Sequence, residues 1–212
     1  MSISRGDSLT NVTENRQIFL KGYGIDESHL AQPVQISRAG IEMVNEPGKY
    51  PATDALITET PGVYLSILTA DCSPVMIWSN EKPVIAAVHS GWQGSELNIL
   101  GQTLQMVMDS FQVSPASLSI VIGPGLSQEH FEVGPEFEQK FQGVYLQKNS
   151  QNRHSNFNNN QFLLDTAVST GVLKEQIEIL PYCSFRDEHL FYSHRRDRGV
   201  TGRMMSVIGI KR

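Results

Sequence analysis

The residues able to do chemistry gather in four polar islands, each at the end of an apolar run. The first is Thr69-Ala70-Asp71-Cys72-Ser73-Pro74, where a thiol sits beside a carboxylate between two β-rich segments. A cysteine there is a nucleophile, a metal thiolate or simply a small buried thiol. The second is Ala86-Ala87-Val88-His89-Ser90-Gly91-Trp92-Gln93-Gly94. An apolar strand delivers His89 into a glycine-rich turn that opens a helix. Glycines let backbone approach a ligand and a helix N-terminus favours an anion. A histidine hydrogen-bonded inside its own turn is the structural alternative. The third, Ile122-Gly123-Pro124-Gly125-Leu126 followed by His130-Phe131-Glu132-Val133-Gly134, is also read as plain turn chemistry. The fourth runs from Cys183-Ser184-Phe185-Arg186-Asp187 to Phe191-Tyr192-Ser193-His194-Arg195-Arg196-Asp197. Arginine forks there suit a phosphate or carboxylate, or make a solvated salt-bridged turn.

Cys72 and His89 on neighbouring strands are the minimum for two mechanisms. One is a thiolate nucleophile activated by imidazole. The other is a zinc site, which needs three protein ligands and finds two here. Asp71 is a candidate to orient a ligand or move a proton. Dinucleotide, P-loop, His-Glu-x-x-His and Cys-x-x-Cys signatures are absent.

The elements that must position these islands follow from periodicity. Residues 8–24 read as a helix capped at Asn11 or Thr13 and stopped by Gly22 and Gly24. Residues 33–44, 63–68, 74–78, 83–88, 118–122, 176–180 and 204–210 read as strands. Leu97, Leu100, Leu104, Val107, Met108 and Phe111 share one helical face, with Ser95 as the expected cap. Residues 135–142 and 161–173 suggest two more helices. Residues 149–161 hold six asparagines and read as an exposed loop.

The whole chain of 212 residues reads as one α+β domain, 1–212, large enough for its own core. A net charge of −5 argues against non-specific nucleic-acid or anionic-membrane binding. No apolar run approaches the roughly 18 residues of a membrane span. Met1 to Asp7 lacks the apolar centre of a leader. Two cysteines make no disulfide framework, so a cytoplasmic protein with reduced thiols is expected.

Taken together the four islands resemble the YfiH family, the laccase-domain or polyphenol-oxidase-like group. The likeness rests on Thr69-Ala70-Asp71-Cys72, Ala86 to Gly94, Ile122-Gly123-Pro124 with Phe131 to Gly134, and Cys183 through Arg195-Arg196-Asp197 to Thr201-Gly202-Arg203-Met204. Val12, Glu14, Asn15 and Arg16 fit the helix before them, so the likeness runs from about Gly6 to Ile210. It implies a single α+β domain with two mixed sheets packed between helices. It implies a zinc-type site of two histidines and one cysteine, acting on purine nucleosides with phosphate or water. Adenosine deaminase activity, copper-dependent phenol oxidation and peptidoglycan-precursor editing also attach to the group. Cys72 matches the cysteine ligand and His89 one histidine ligand. Ser37 occupies the place of the other histidine, and a neutral hydroxyl is a poor zinc ligand. Gln93 stands where the group carries an arginine. The group's opening strand, whose arginine is expected at the site, has no counterpart in these residues.

The resemblance makes Cys72, His89 and Asp71 the expected catalytic set and Cys72 and His89 the metal ligands. Arg195, Arg196 and Gln93 are the expected anion and substrate contacts, and His130, His154 and His194 are candidate replacements for the lost ligand. Zinc, or copper as claimed for some members, is the expected cofactor; a purine nucleoside and phosphate are the expected partners. Two other functions stay open: a degenerate paralogue that binds without catalysis, and a metal-free cysteine hydrolase using Cys72 and His89.

Overall fold

Ile85 to Ser90 form a strand buried along its whole length, and the molecule is built outward from it. The computed structural model describes residues 1–2, 8–149 and 154–211. In chain order its elements are α1 (Leu9–Lys21), β1 (Leu30–Val34), β2 (Ile41–Met43), β3 (Gly48–Pro51), β4 (Ala55–Thr58), β5 (Tyr64–Thr69), β6 (Ser73–Ser79), β7 (Ile85–Ser90), α2 (Trp92–Glu96), α3 (Ile99–Phe111), β8 (Leu118–Ile122), β9 (Glu132–Val133), β10 (Leu146–Lys148), β11 (Ser155–Phe157), α4 (Asn159–Ser169), β12 (Ile177–Ile179) and β13 (Met204–Gly209).

The strands make a six-stranded mixed sheet, β12-β8-β6-β7-β4-β2, and a four-stranded mixed sheet, β13-β5-β1-β3. Successive side chains of a strand point to opposite faces, and this sorts the core. Ala55, Ile57, Val75, Ile77, Ala86, Val88, Ile120 and Ile122 pack with Leu100, Leu104 and Val107 of α3 and Leu163 and Ala167 of α4. Leu56, Met76, Trp78, Ile85 and Ala87 instead join Ala31, Leu65 and Ile67 of the four-stranded sheet. Leu20 of α1 packs on that sheet's far side with Leu30, Leu68, Met205 and Val207. The layers therefore run helices, six strands, four strands, helix, as the family resemblance implies. A third, antiparallel sheet, β10-β11-β9, is added beside them around a cluster of Phe131, Phe137, Phe141 and Phe157. Among the described residues no helix is long and apolar enough to cross a membrane.

Several local expectations change. Ser8, not Asn11 or Thr13, caps α1, accepting the Asn11 N–H at 3.1 Å. Residues 33–44 split into the end of β1 and the separate β2, because the chain turns at Ser37, whose φ is +57°. Ser95 lies inside α2, and α3 starts after Asn98 in the left-handed region. Residues 135–142 hold a 3-10 turn, Pro135–Gln139, rather than a regular helix. The asparagine-rich run 149–161 is no simple exposed loop. Ser155–Phe157 is a strand, Phe157 is fully buried, and Asn159 opens α4 with only 2% of its surface exposed. Residues 150–153 of that run, and Ile3 to Asp7 of the N-terminal run, lie outside the described residues.

Candidate functional site

The same alternation that sorts the core builds the site. Cys72 is in phase with Pro74, Met76 and Trp78, and His89 with Ile85 and Ala87, so both belong to the face turned toward the four-stranded sheet. The rung Pro74↔His89 sets the two strand ends side by side. On the other flank of β7, β4 pairs Ala55 with Val88, which brings Asp54 directly opposite His89. The His89 N–H donates to the Asp54 carbonyl at 2.7 Å. Asp54 also shares the phase of Leu56. Three strands thus deliver a thiol, an imidazole and a carboxylate to one place.

His89 Nδ1 lies 2.8 Å from Asp54 Oδ1, and both side chains are buried. That bond fixes the ring and leaves Nε2 to work. Asp54 accepts backbone N–H groups from Ile36 at 3.2 Å, Ser37 at 3.0 Å and Arg38 at 2.8 Å. Successive N–H groups converging on one carboxylate form an anion nest. Burial pushes the Asp54 carboxyl up, but the bonds from His89 and from Arg38 and Ser37 outweigh it, so it is held below 3.8. Burial likewise pushes His89 down. The neighbouring Cys72 and the Asp54 bond overcome it and raise His89 to about 9. The cluster therefore favours an imidazolium held against the Asp54 carboxylate.

Sequence reasoning missed Asp54. Its signal was present: Thr53-Asp54 precedes the short apolar run Ala55 to Thr58, just as Asp71-Cys72 precedes β6. Asp71, expected to be catalytic, is tied into a latch. Its carboxylate accepts the Ser184 hydroxyl at 2.7 Å and the Arg195 N–H at 2.6 Å, and its carbonyl accepts the Leu126 N–H at 2.9 Å. Its φ of +88° is a strained value for a residue with a side chain. The latch fixes the loop that carries Cys72.

Gly91 leaves room for the thiol. A Cβ there would stand 2.7 Å from Cys72 Sγ. Gly91→Ala is expected to displace the thiol from His89 and slow alkylation of Cys72 by about tenfold, since misplacements near 1 Å cost up to about 100-fold. Timed iodoacetamide labelling with peptide mass spectrometry reads this directly. An unchanged Cys72 rate would mean that the close approach has no consequence.

The arginine pair divides. Arg196 donates to Asp197 Oδ1 at 2.9 Å and Oδ2 at 3.3 Å, and to the carbonyls of Ser184 at 2.8 Å, Phe185 at 3.2 Å and Phe191 at 3.0 Å. Its fork, expected to contact an anion, holds the C-terminal loop. Arg195 is exposed and uses one Nη on the Glu132 carbonyl at 2.8 Å. Its backbone bond to Asp71 places it at the Cys72 loop. Gln93 is half-buried in the first turn of α2.

Two of the candidate replacement ligands are engaged elsewhere. His130 Nδ1 lies 3.1 Å from Ser127 Oγ and 3.6 Å from the Cys183 thiol, and its ring stacks on Phe185. His154 pairs with Glu132 at 3.0 Å. His194 is exposed on the C-terminal loop. Among the described residues no three His, Cys, Asp or Glu side chains form a group that could hold a metal ion. A catalytic zinc takes three protein ligands. Here the donors are Cys72, His89 and a serine, and Asp54 is already committed to His89 and three N–H groups. The residues present do not fit a three-ligand metal centre.

Fold and cluster together define a class: an α+β protein of two packed mixed sheets and a small antiparallel one, with a cysteine, a histidine and a buried aspartate converging at the strand ends. Residues 1–211 match the family described as multi-copper polyphenol oxidoreductase laccase, and the chain belongs to that family. It is 32% identical over 208 residues to a purine nucleoside phosphorylase of Deinococcus radiodurans, covering 98% of this chain and 81% of that one. It is 27% identical over 210 residues to purine nucleoside phosphorylase YfiH of Escherichia coli K12, covering 96% and 82%. The crystal structure of Bacillus licheniformis hypothetical protein YfiH superposes with a TM-score of 0.94 at 26% identity, covering 99% of this chain and 85% of that one. That of YlmD from Geobacillus stearothermophilus gives 0.95 at 24% identity, covering 100% and 84%, and shares the fold.

Proposed function

We propose that this chain cleaves purine nucleosides with phosphate, using Cys72, His89 and Asp54 and no three-ligand metal. The names of its relatives supply the substrate class. The observation that carries the reading is His89 bonded through Nδ1 to the buried Asp54 carboxylate beside Cys72, which favours an imidazolium at neutral pH. In phosphorolysis a phosphate oxygen bonds to C1′ of the sugar while the bond to the purine breaks. The departing purine needs a proton, and a protonated imidazole supplies it as a general acid. Asp54 stabilises the imidazolium until that transfer, and the proton returns from solvent. Arg195, held at the Cys72 loop, is the phosphate contact. Attack by water instead of phosphate on the base would give the deaminase reaction of adenosine with the same acid. Two free cysteines accord with a reducing, cytoplasmic setting.

A second reading is favoured by the order thiol, imidazole, carboxylate, with Ser37 in place of a ligand. Cys72 is then the nucleophile of a hydrolase and His89 its base. One experiment separates these readings from a binding-only paralogue. Incubate inosine or adenosine with and without phosphate, follow products by chromatography, and titrate the same preparation with p-nitrophenyl acetate. Phosphate-dependent hypoxanthine release, lowered at least about 100-fold in His89→Ala, supports phosphorolysis. A stoichiometric burst at Cys72 without nucleoside turnover supports the hydrolase. Neither signal leaves a binding protein.

A further inference from the structure

We propose that Asn159 is a positioning residue that holds Cys72 and His89 in register from the opposite face of the sheet. The inference rests on the reading of Cys72 and His89 as the working pair. Ser73 follows Cys72 and Ser90 follows His89, and these two serines pair as the last rung between β6 and β7. Strand alternation turns both away from the site and toward the helices. Beyond this rung the strands part: Asp71 leaves at φ +88°, and Gly91 is the N-cap of α2. A terminal rung frays unless something ties it.

The tie is a buried amide. Asn159 Nδ2 donates to Ser73 Oγ at 3.4 Å and to the Ser90 carbonyl at 3.4 Å. Its Oδ1 accepts the Ser95 hydroxyl at 2.7 Å, and Ser95 Oγ lies 3.1 Å from Ser90 Oγ. Asn160 Oδ1 accepts the Ser73 hydroxyl at 3.1 Å. Ser73, Ser90, Ser95 and Asn159 are each at most 2% exposed. The two donor bonds of Asn159 are long, so their individual strength is small. What matters is that one side chain reaches both strand ends and α2 at once. A buried polar network with its groups satisfied selects one arrangement of the elements it joins. A single apolar contact would bring them together without fixing their register.

This gives the asparagine-rich run a purpose. Asn158 caps α4 by accepting the Gln161 N–H at 3.1 Å, and the next two asparagines point the helix's first turn into the back of the site.

The test compares Asn159→Ala and the milder Asn159→Ser with Leu163→Ala, which cuts the fully buried core of the same helix about one turn after Asn159. The full-length chain is used throughout. The readouts are iodoacetamide labelling of Cys72 at one pH, scaled to the folded fraction, and the proton resonance of His89 Nδ1–H bonded to Asp54. The Asn159 variants are expected to change the Cys72 rate on the order of tenfold and to shift or broaden the His89 signal. Leu163→Ala is expected to lower the melting temperature and leave both at their wild-type values. Should Asn159→Ala fail to fold, Asn159→Ser alone decides. Unchanged labelling and an unchanged His89 signal overturn the proposal, as do changes of the same size in Leu163→Ala. Nucleoside turnover is not among these readouts. Its absence would overturn the proposed reaction and leave the positioning result to stand or fall by itself.

Discussion

Asp54→Asn is expected to destabilise the protein by about 2–4 kcal/mol, because it breaks a buried charged pair and leaves N–H groups facing a second donor. The carboxylate accepts three backbone N–H groups and His89 Nδ1 with two oxygens. Asparagine keeps one oxygen. Its NH2 group must oppose either the loop N–H groups or the ring nitrogen. The consequence reaches function, since Asp54 both orients His89 and helps keep it protonated.

The pH dependence has a definite sign. His89 is raised from 6.5 to about 9, its burial being outweighed by Cys72 and Asp54. A raised basic group contributes stability in full below its unfolded value, and that contribution is lost as pH climbs through the folded one. Wild-type stability should therefore fall between about pH 6.5 and pH 9 on this account, and the fall should be smaller in Asp54→Asn. The carboxyl acts oppositely: it is held below 3.8, so its contribution is present at neutral pH and is lost only as pH drops below that range. Urea unfolding across this window measures both. Equal slopes for wild type and variant would show that Asp54 does not hold the His89 proton.

Ser37→His is expected to convert a weak metal site into a stoichiometric one. Ser37 N–H and His89 Nδ1 meet at the same oxygen, Asp54 Oδ1, at 3.0 and 2.8 Å. Residue 37 is therefore a near neighbour of the imidazole, and a histidine there would add the third strong donor. Its φ of +57° lies in the left-handed region, which histidine tolerates better than most side chains. Loss of even an outer partner costs about 10–100-fold in metal affinity, so a restored direct ligand should gain at least about 100-fold. Metal analysis after dialysis against a chelator should find zinc near one per chain in the variant and well below that in the wild type. Zinc should also raise the melting temperature of the variant far more, through linkage to the folded state. Equal, stoichiometric zinc in both proteins would defeat the conclusion that the donor set is one ligand short.

Much of the frame was legible in the chain itself. The apolar runs at β5, β6, β7 and β8 are short, β-rich and bounded by turn residues, so local propensity and burial agree on them. The ends of two apolar runs already put Cys72 and His89 on neighbouring strands, and the ordered motifs around them pointed to the family that the whole-chain match then showed. The partners of these residues were not legible. β4 has only four residues and matters through its pairing with β7, some 30 positions on, a non-local contact that no local window reports. Asp54 therefore came into view only when that ladder formed. An arginine's type says that it can hold an anion, but the carbonyls of Ser184, Phe185 and Phe191 that occupy Arg196 are assembled by the folded loop. Asparagine is polar by composition, yet Asn159 is buried because the ends of β6, β7 and α2 present it with partners. Sequence pattern determined which strand ends carry the reactive groups. Tertiary structure decided which groups meet, because hydrogen-bond satisfaction in the interior depends on donors and acceptors brought from distant parts of the chain.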